Sequence, residues 1–304
     1  MTPSHQLHLL LAALVLGGCS PISEPSELVS HELQSRELQS PNGLSANGLS
    51  ANGLSANGLS ANGLSANGLS AADFQAWFQS NPTVAESVMR YLVLCAAPAG
   101  QTLSYTDATT GQGYSWSGRL GLAPGWSSGQ PATVSEQQVI SACLAAHVNK
   151  YGVHIPLSVL GRSAQGQPIP FTLPELVTFS QREACFFGNL FTHQGIYVGS
   201  DRGNLSARES SARACSISSN AGNARTTDCA PLMYAGTCTT FCTLDASKTY
   251  YTSCTYNGVT YRPITTRLRP DDIYLCGDGV CQISESCGTS TQYNNCLLDC
   301  GACP

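Results

Sequence analysis

Three groups of residues in this 304-residue chain have types and spacings that could do chemistry. Gly125-Trp126-Ser127-Ser128-Gly129 matches G-x-S-x-G, the nucleophile elbow of serine hydrolases, and Glu175 or Glu183 followed by His193 would supply an acid and a base. Cys143 and His147 stand at i and i+4, which on a helix brings a thiol and an imidazole together as a nucleophilic dyad or half a metal site. Asp278, Glu285 and Asp299 sit among glycines near the C-terminus, where loop carboxylates and carbonyls suit Ca²⁺.

Each group has a plainer reading once the elements that must position it are considered. An elbow needs a strand before it and a helix at once after it, because that turn exposes the hydroxyl and builds the oxyanion hole. Here Pro124 stands immediately before, and the next helix signal comes at Ser135. An ordinary loop is the expectation, with a small exported serine hydrolase using Ser127, Glu183 and His193 as the alternative. Glu183, beside Phe186 and Phe187, reads as a helix-surface or capping carboxylate, or as a desolvated acid with a raised pKa. The histidines are scattered and no H-E-x-x-H pattern occurs.

The cysteines decide between thiol chemistry and staples. There are fifteen, and setting one aside leaves an even number. Cys95, Cys143, Cys185, Cys215, Cys229, Cys238, Cys242 and Cys254 fall in the middle of the chain; Cys276, Cys281, Cys287, Cys296, Cys300 and Cys303 crowd the end. Disulfides persist in oxidising compartments, so an exported chain with even parity reads as fully bridged. Pairing is open by sequence, although Cys95 and Cys143 each lie on the inner face of an expected helix.

The cysteine set aside is Cys19. Leu9 to Leu16 run without a polar residue and lead into Gly17-Gly18-Cys19, a stretch too short for the roughly 20 residues that span a bilayer. This resembles a bacterial lipoprotein signal peptide, with Leu16-Gly17-Gly18-Cys19 as the lipobox. The resemblance implies cleavage after residue 18, palmitate-type acylation on Cys19, and, with Ser20 next, the cell outer membrane. The start carries His5 and His8 but no Lys or Arg, and plain secretion is the alternative.

From Ser26 the chain repeats in fives: SELVS, HELQS, RELQS, PNGLS, then ANGLS through Ser70. A period of five matches neither helix nor strand, so its leucines line no single face. Residues 19–71 are expected to be a low-complexity spacer with a reach of roughly 40 Å, contributing nothing to a core. A pentapeptide solenoid and a leucine docking strip are the alternatives.

Residues 72–270 read as one disulfide-stapled α+β domain with a few helices and short antiparallel strands. Asn81-Pro82 opens a helix with Val84, Val88, Tyr91, Leu92 and Cys95 on one face. A hairpin is expected over 102–122. Ser135 with Gln138 predicts a capping box, stapled by Val134 and Val139, for a helix ending near Gly152. Val153, Ile155, Leu157 and Val159 alternate as a strand, a third helix starts near Thr172 and runs toward Cys185, and Ile196-Tyr197-Val198 reads as a strand. Tyr91 through Gly100, Gly118 to Trp126, Cys143 through Gly152 and Glu183 to Phe191 together resemble an uncharacterised family of exported myxobacterial proteins. The resemblance implies one domain over much of residues 85–200 and brings no activity.

Residues 276–304 form a six-cysteine C-terminal module opening Cys276-Gly277-Asp278-Gly279-Val280-Cys281. It resembles the CGDGxC-type cysteine-rich modules of exported bacterial proteins, knotted by bridges with little core. Only 11% of residues are charged and the net charge is -5, which argues against nucleic acid as a partner. The expected function is a surface-displayed lipoprotein, non-enzymatic, that binds an envelope protein or glycan; a structural or adhesion component of the envelope is a further alternative. Structural calcium on Asp278, Glu285 and Asp299 is the one cofactor expectation.

Overall fold

The computed structural model describes residues 59–148, 156–192, 194–201, 210–211 and 231–274, and in the C-terminal stretch 277, 279, 281, 287, 291–292 and 295–303. Cys19, Val153, Ile155, His193, Cys215, Cys229, Cys276, Asp278 and Glu285 lie outside the described residues.

The last pentads are not outside the core. α1 (Leu59–Asn62) and α2 (Ala66–Leu69) are single helical turns, and Leu59, Leu64 and Leu69 are at most 3% exposed and belong to the main hydrophobic cluster. This corrects the expectation that nothing before residue 70 joins a core. A uniform helix would scatter leucines spaced by five, but here the chain alternates a turn of helix with an irregular link. Gly63 at φ +77° resets the phase, so each leucine is aimed inward separately.

α3 (Ala72–Ser80) then buries Phe74 and Phe78. α4 (Pro82–Ala96) starts as expected: Asn81 accepts from the Val84 amide at 3.2 Å, Pro82 takes the first position, and Val88, Tyr91, Leu92 and Cys95 are buried. The hairpin of β1 (Thr102–Thr106) and β2 (Gly113–Ser117) aligns Tyr105 with Tyr114 and Leu103 with Trp116. Its apolar face packs on α3, with Phe74 edge-on to Tyr105 at 5.1 Å.

After the short α5 (Pro124–Ser127) comes α6 (Val134–Ala146), whose cap is Thr133 rather than Ser135. Thr133 Oγ1 accepts from the Glu136 amide at 3.3 Å, and Glu136 Oε2 accepts from the Thr133 amide at 3.0 Å. Gln138 is drawn elsewhere: its side chain donates to the Thr260 carbonyl and accepts from the Arg262 amide. The helix stops at Ala146, with His147 as its C-cap, short of Gly152.

β3 (Ser158–Gly161) and α7 (Leu173–Thr178) follow, and α7 ends well before Cys185. The run through Cys185 is instead β4 (Gln181–Asn189), buried on both faces from Glu183 onward. Its continuous apolar stretch had masked a period of two: Ala184 and Phe186 join the main core, whereas Cys185 and Phe187 join a second cluster with Tyr197, Cys238, Tyr251, Cys254 and Tyr261. β4 pairs antiparallel with β5 (Gly195–Ser200).

Beyond β6 (Ser210–Ser211) and β7 (Leu232–Thr237), the turn α8 (Cys238–Phe241) leads to the small antiparallel sheet of β8 (Cys242–Leu244), β9 (Tyr251–Tyr256) and β10 (Val259–Tyr261). β11 (Ile264–Leu268) completes a five-stranded sheet of order β3-β11-β4-β5-β7, antiparallel except for the parallel pair β5 and β7. α6 packs on β4 across this sheet. β12 (Ile273–Tyr274) pairs with β6, and β13 (Thr291–Gln292), β14 (Asn295–Cys296) and α9 (Leu297–Cys300) lie in the C-terminal stretch. The protein is thus α+β with a mixed sheet and bridged cysteine pairs in the central domain and in the C-terminal stretch. Among the described residues, no helix is long and apolar enough to cross a membrane.

Candidate functional site

Each residue of the G-x-S-x-G segment is in structural use. Ser127 is 4% exposed and its hydroxyl donates to the Pro124 carbonyl at 3.2 Å, inside one turn of helix that no strand leads into directly, β2 having ended at Ser117. A Cβ on Gly125 would meet Glu136 Oε1 at 3.0 Å, and that oxygen accepts from the Trp126 amide at 3.0 Å. Glu136, buried and accepting from the amides of Thr133 and Trp126, ties the loop to the start of α6. The sequence reading passed over Glu136; its place three residues after a threonine is the signal that could have found it. Glu183 Oε2 accepts from the Thr266 hydroxyl at 2.7 Å within the large sheet. No described contact brings Glu183 to Ser127.

Cys143 is bridged to Cys95, the pairing their inward faces suggested. His147 is 4% exposed, and its Nδ1 lies 2.6 Å from the Cys143 carbonyl. A carbonyl only accepts, so Nδ1 carries the proton and this ring nitrogen caps the helix end. The Tyr91 ring lies 5.2 Å away.

A second sulfur cluster sits on the other face of the sheet. Cys185–Cys238 and Cys242–Cys254 are bridged, and Cys185 Sγ lies 3.6 Å from Cys242 Sγ. Both sulfur groups have the spacing of metal ligands, but a metal takes thiolates, and these sulfurs are held in disulfides. Beside the second cluster is a buried ion pair that the sequence did not announce. Arg182 Nε lies 2.7 Å from Asp201 Oδ2, which also accepts from Tyr251 Oη at 3.1 Å. Burial first, and the Asp201 charge second, push the Tyr251 phenol far above its ordinary pKa, so it stays a donor.

In the C-terminal module Cys281–Cys300 and Cys287–Cys303 are bridged. Asp299 accepts from the Gly277 amide at 2.5 Å through Oδ2 and from the Gly279 amide at 3.0 Å through Oδ1. Its two oxygens thus hold the amides of both Gly277 and Gly279. Asp278 and Glu285, the other carboxylates proposed for calcium, are not among the described residues.

One cavity of about 210 Å³ opens among Arg119, Leu120, Val159, Ile169, Pro170 and Glu175. Its walls are mostly apolar. Glu175, 4% exposed, accepts from the Ser158 hydroxyl at 2.8 Å and from the Thr172 amide. On the same short helix, Leu173 and Val177 are 76% and 77% exposed, one turn apart. The pair lies on the face of α7 opposite the buried Glu175, so it forms an exposed apolar spot of its own, apart from the cavity lining.

The pentads make the most specific packing arrangement. A Cβ on Gly63 would lie 2.3 Å from the Gly129 carbonyl carbon, and one on Gly68 would lie 1.9 Å from the Gly63 oxygen. Trp126 Nε1 donates to the Leu59 carbonyl at 2.7 Å, and the Leu64 amide donates to the Trp126 carbonyl at 2.9 Å. Residues 40–72 match the GLTT repeat family, over six copies. Within the described part of that stretch, Gly63 and Gly68 are where the docking leaves no room for a side chain, and Leu59, Leu64 and Leu69 are buried. No curated protein and no solved structure matches the chain.

Proposed function

We propose that this is an exported, disulfide-stapled binding protein, anchored by lipid on Cys19 and presenting its central domain to an envelope protein or glycan. The observation that carries the binding reading is the exposed apolar pair Leu173 and Val177 on α7, a helix whose opposite, buried side lines the 210 Å³ cavity through Glu175. Export is supported by the bridged cysteines, which suit an oxidising compartment, and by the resemblances to a lipoprotein signal peptide and to exported myxobacterial proteins.

Sedimentation of the protein with isolated envelopes tests the reading. Leu173→Asp with Val177→Asp should abolish co-sedimentation of the unlipidated chain while leaving its melting unchanged, and an unaltered pellet would overturn it. Labelling by a serine-directed fluorophosphonate, lost in Ser127→Ala, would favour the hydrolase alternative instead. Intact mass of protein taken from its native membrane decides the anchor: acyl chains on a polypeptide beginning at Cys19 support it.

A further inference from the structure

We propose that the seat holding Leu59, Leu64 and Leu69 also accepts pentads from a second copy of this chain, so that copies become linked by exchanging their repeats. The seat recognises features of the unit rather than of one position. Trp126 grips main-chain atoms, at the Leu59 carbonyl and the Leu64 amide. Gly129 excludes any side chain where Gly63 approaches, and Gly63 does the same for Gly68.

Leucine fills the apolar side of the seat at both 0% exposed positions, Leu59 and Leu64. The same five residues recur upstream of the seated units at Ala46 and Ala51, so the array carries more copies of the ligand than the seat takes up. Exchange of an identical segment between chains preserves every contact and so costs little. The docked segment is joined to α3 through the short link Ser70 and Ala71. A high surface density of anchored chains would raise the effective concentration of neighbouring arrays.

The test empties the seat in the full chain with Leu59→Asp and Leu64→Asp, then adds a synthetic peptide of the sequence of residues 56–70. The expected result is a saturable shift of the Trp126 indole N–H resonance, assigned through Trp126→Phe. No shift is expected with a peptide carrying alanine in place of each glycine. A folded double variant whose resonance stays fixed would overturn the proposal.

A second measurement leaves the seat intact. Isotopically light and heavy full chains, each with a benzoylphenylalanine replacing Leu54, are mixed at high concentration and irradiated. Cross-links from residue 54 to residues 126–129 that join light to heavy chains support the exchange. Cross-links confined within light or within heavy chains, with or without peptide binding, would restrict the pentads to their own seat and overturn it.

Discussion

Trp126 donates its indole N–H to the carbonyl of Leu59 at 2.7 Å, across 67 positions of sequence. The same residue is 0% exposed and packs edge-on against Phe191 at 5.5 Å. A loop that resembles a hydrolase elbow is therefore the clamp that binds the repeat array to the domain. Gly63→Ala should release that clamp without touching the sheet, because a methyl there meets the Gly129 backbone and φ is +77°. Hydrogen exchange over residues 59–69 should rise, with a loss of about 1 kcal/mol or more of local stability. Protection unchanged from the native chain would count against the clamp.

The Cys95–Cys143 bridge closes a separation of 48 residues between α4 and α6. In the chain-entropy account a loop of that size is worth about 4 kcal/mol. Replacing both cysteines by alanine should lower stability in denaturant titrations by roughly that amount, whereas removing Cys242–Cys254, with a separation of 12, should cost less if the loop term dominates.

Arg182 and Asp201 form a charge pair inside the fold, with the Asp201 side chain fully buried. Removing the cation leaves a buried carboxylate, so Arg182→Met should destabilise by about 3–5 kcal/mol. Tyr251→Phe removes one donor to the same carboxylate and should cost about 1.5–3 kcal/mol. Equilibrium unfolding of the two variants would show the ranking.

Asp245 makes a pH-dependent contribution to stability. Burial pushes its carboxyl up, but hydrogen bonds from the Ser247 hydroxyl and from the amides of Tyr250, Thr249 and Ser247 together outweigh it and hold the pKa below the ordinary value. A depressed folded pKa means stability that is present above the unfolded value of about 3.9 and is lost as pH falls through the folded one. Asp245→Asn should therefore lower Tm at pH 7 and make little difference near pH 2. An equal loss at both pH values would show that its charge is immaterial.

In the C-terminal module Asp299→Ala should loosen the glycine turn, since the Gly277 and Gly279 amides lose their acceptor. Faster reduction of Cys281–Cys300, followed by alkylation and mass, is the expected readout. Unchanged reduction kinetics would show that the bridges alone hold the turn.

Much of this was legible in local sequence. Asn81-Pro82, Thr172 with Glu175, and the alternation around Gly111 act within a turn of themselves, and caps and hairpins form wherever such residues fall. The inward placement of Cys95 and Cys143 followed from helical periodicity, and the even cysteine count spoke for disulfides over thiol chemistry. Ser135 and Gln138 were an equally valid local signal, yet Thr133 and Glu136 cap the helix because Glu136 is also held by Trp126 from another segment.

What only the tertiary structure decided depends on contacts between distant residues. The strand through Cys185 became one because β11 and β5 pair with both its edges while α6 and the second cluster cover its two faces, which no window of its own residues reveals. The pentads are the extreme case: near-identical units whose composition argues for a flexible spacer, of which the last are ordered by Trp126 and Gly129, more than 50 residues away. Local propensity sets what a segment does alone; a glycine-rich repeat has almost none, so its conformation is chosen by the surface it meets.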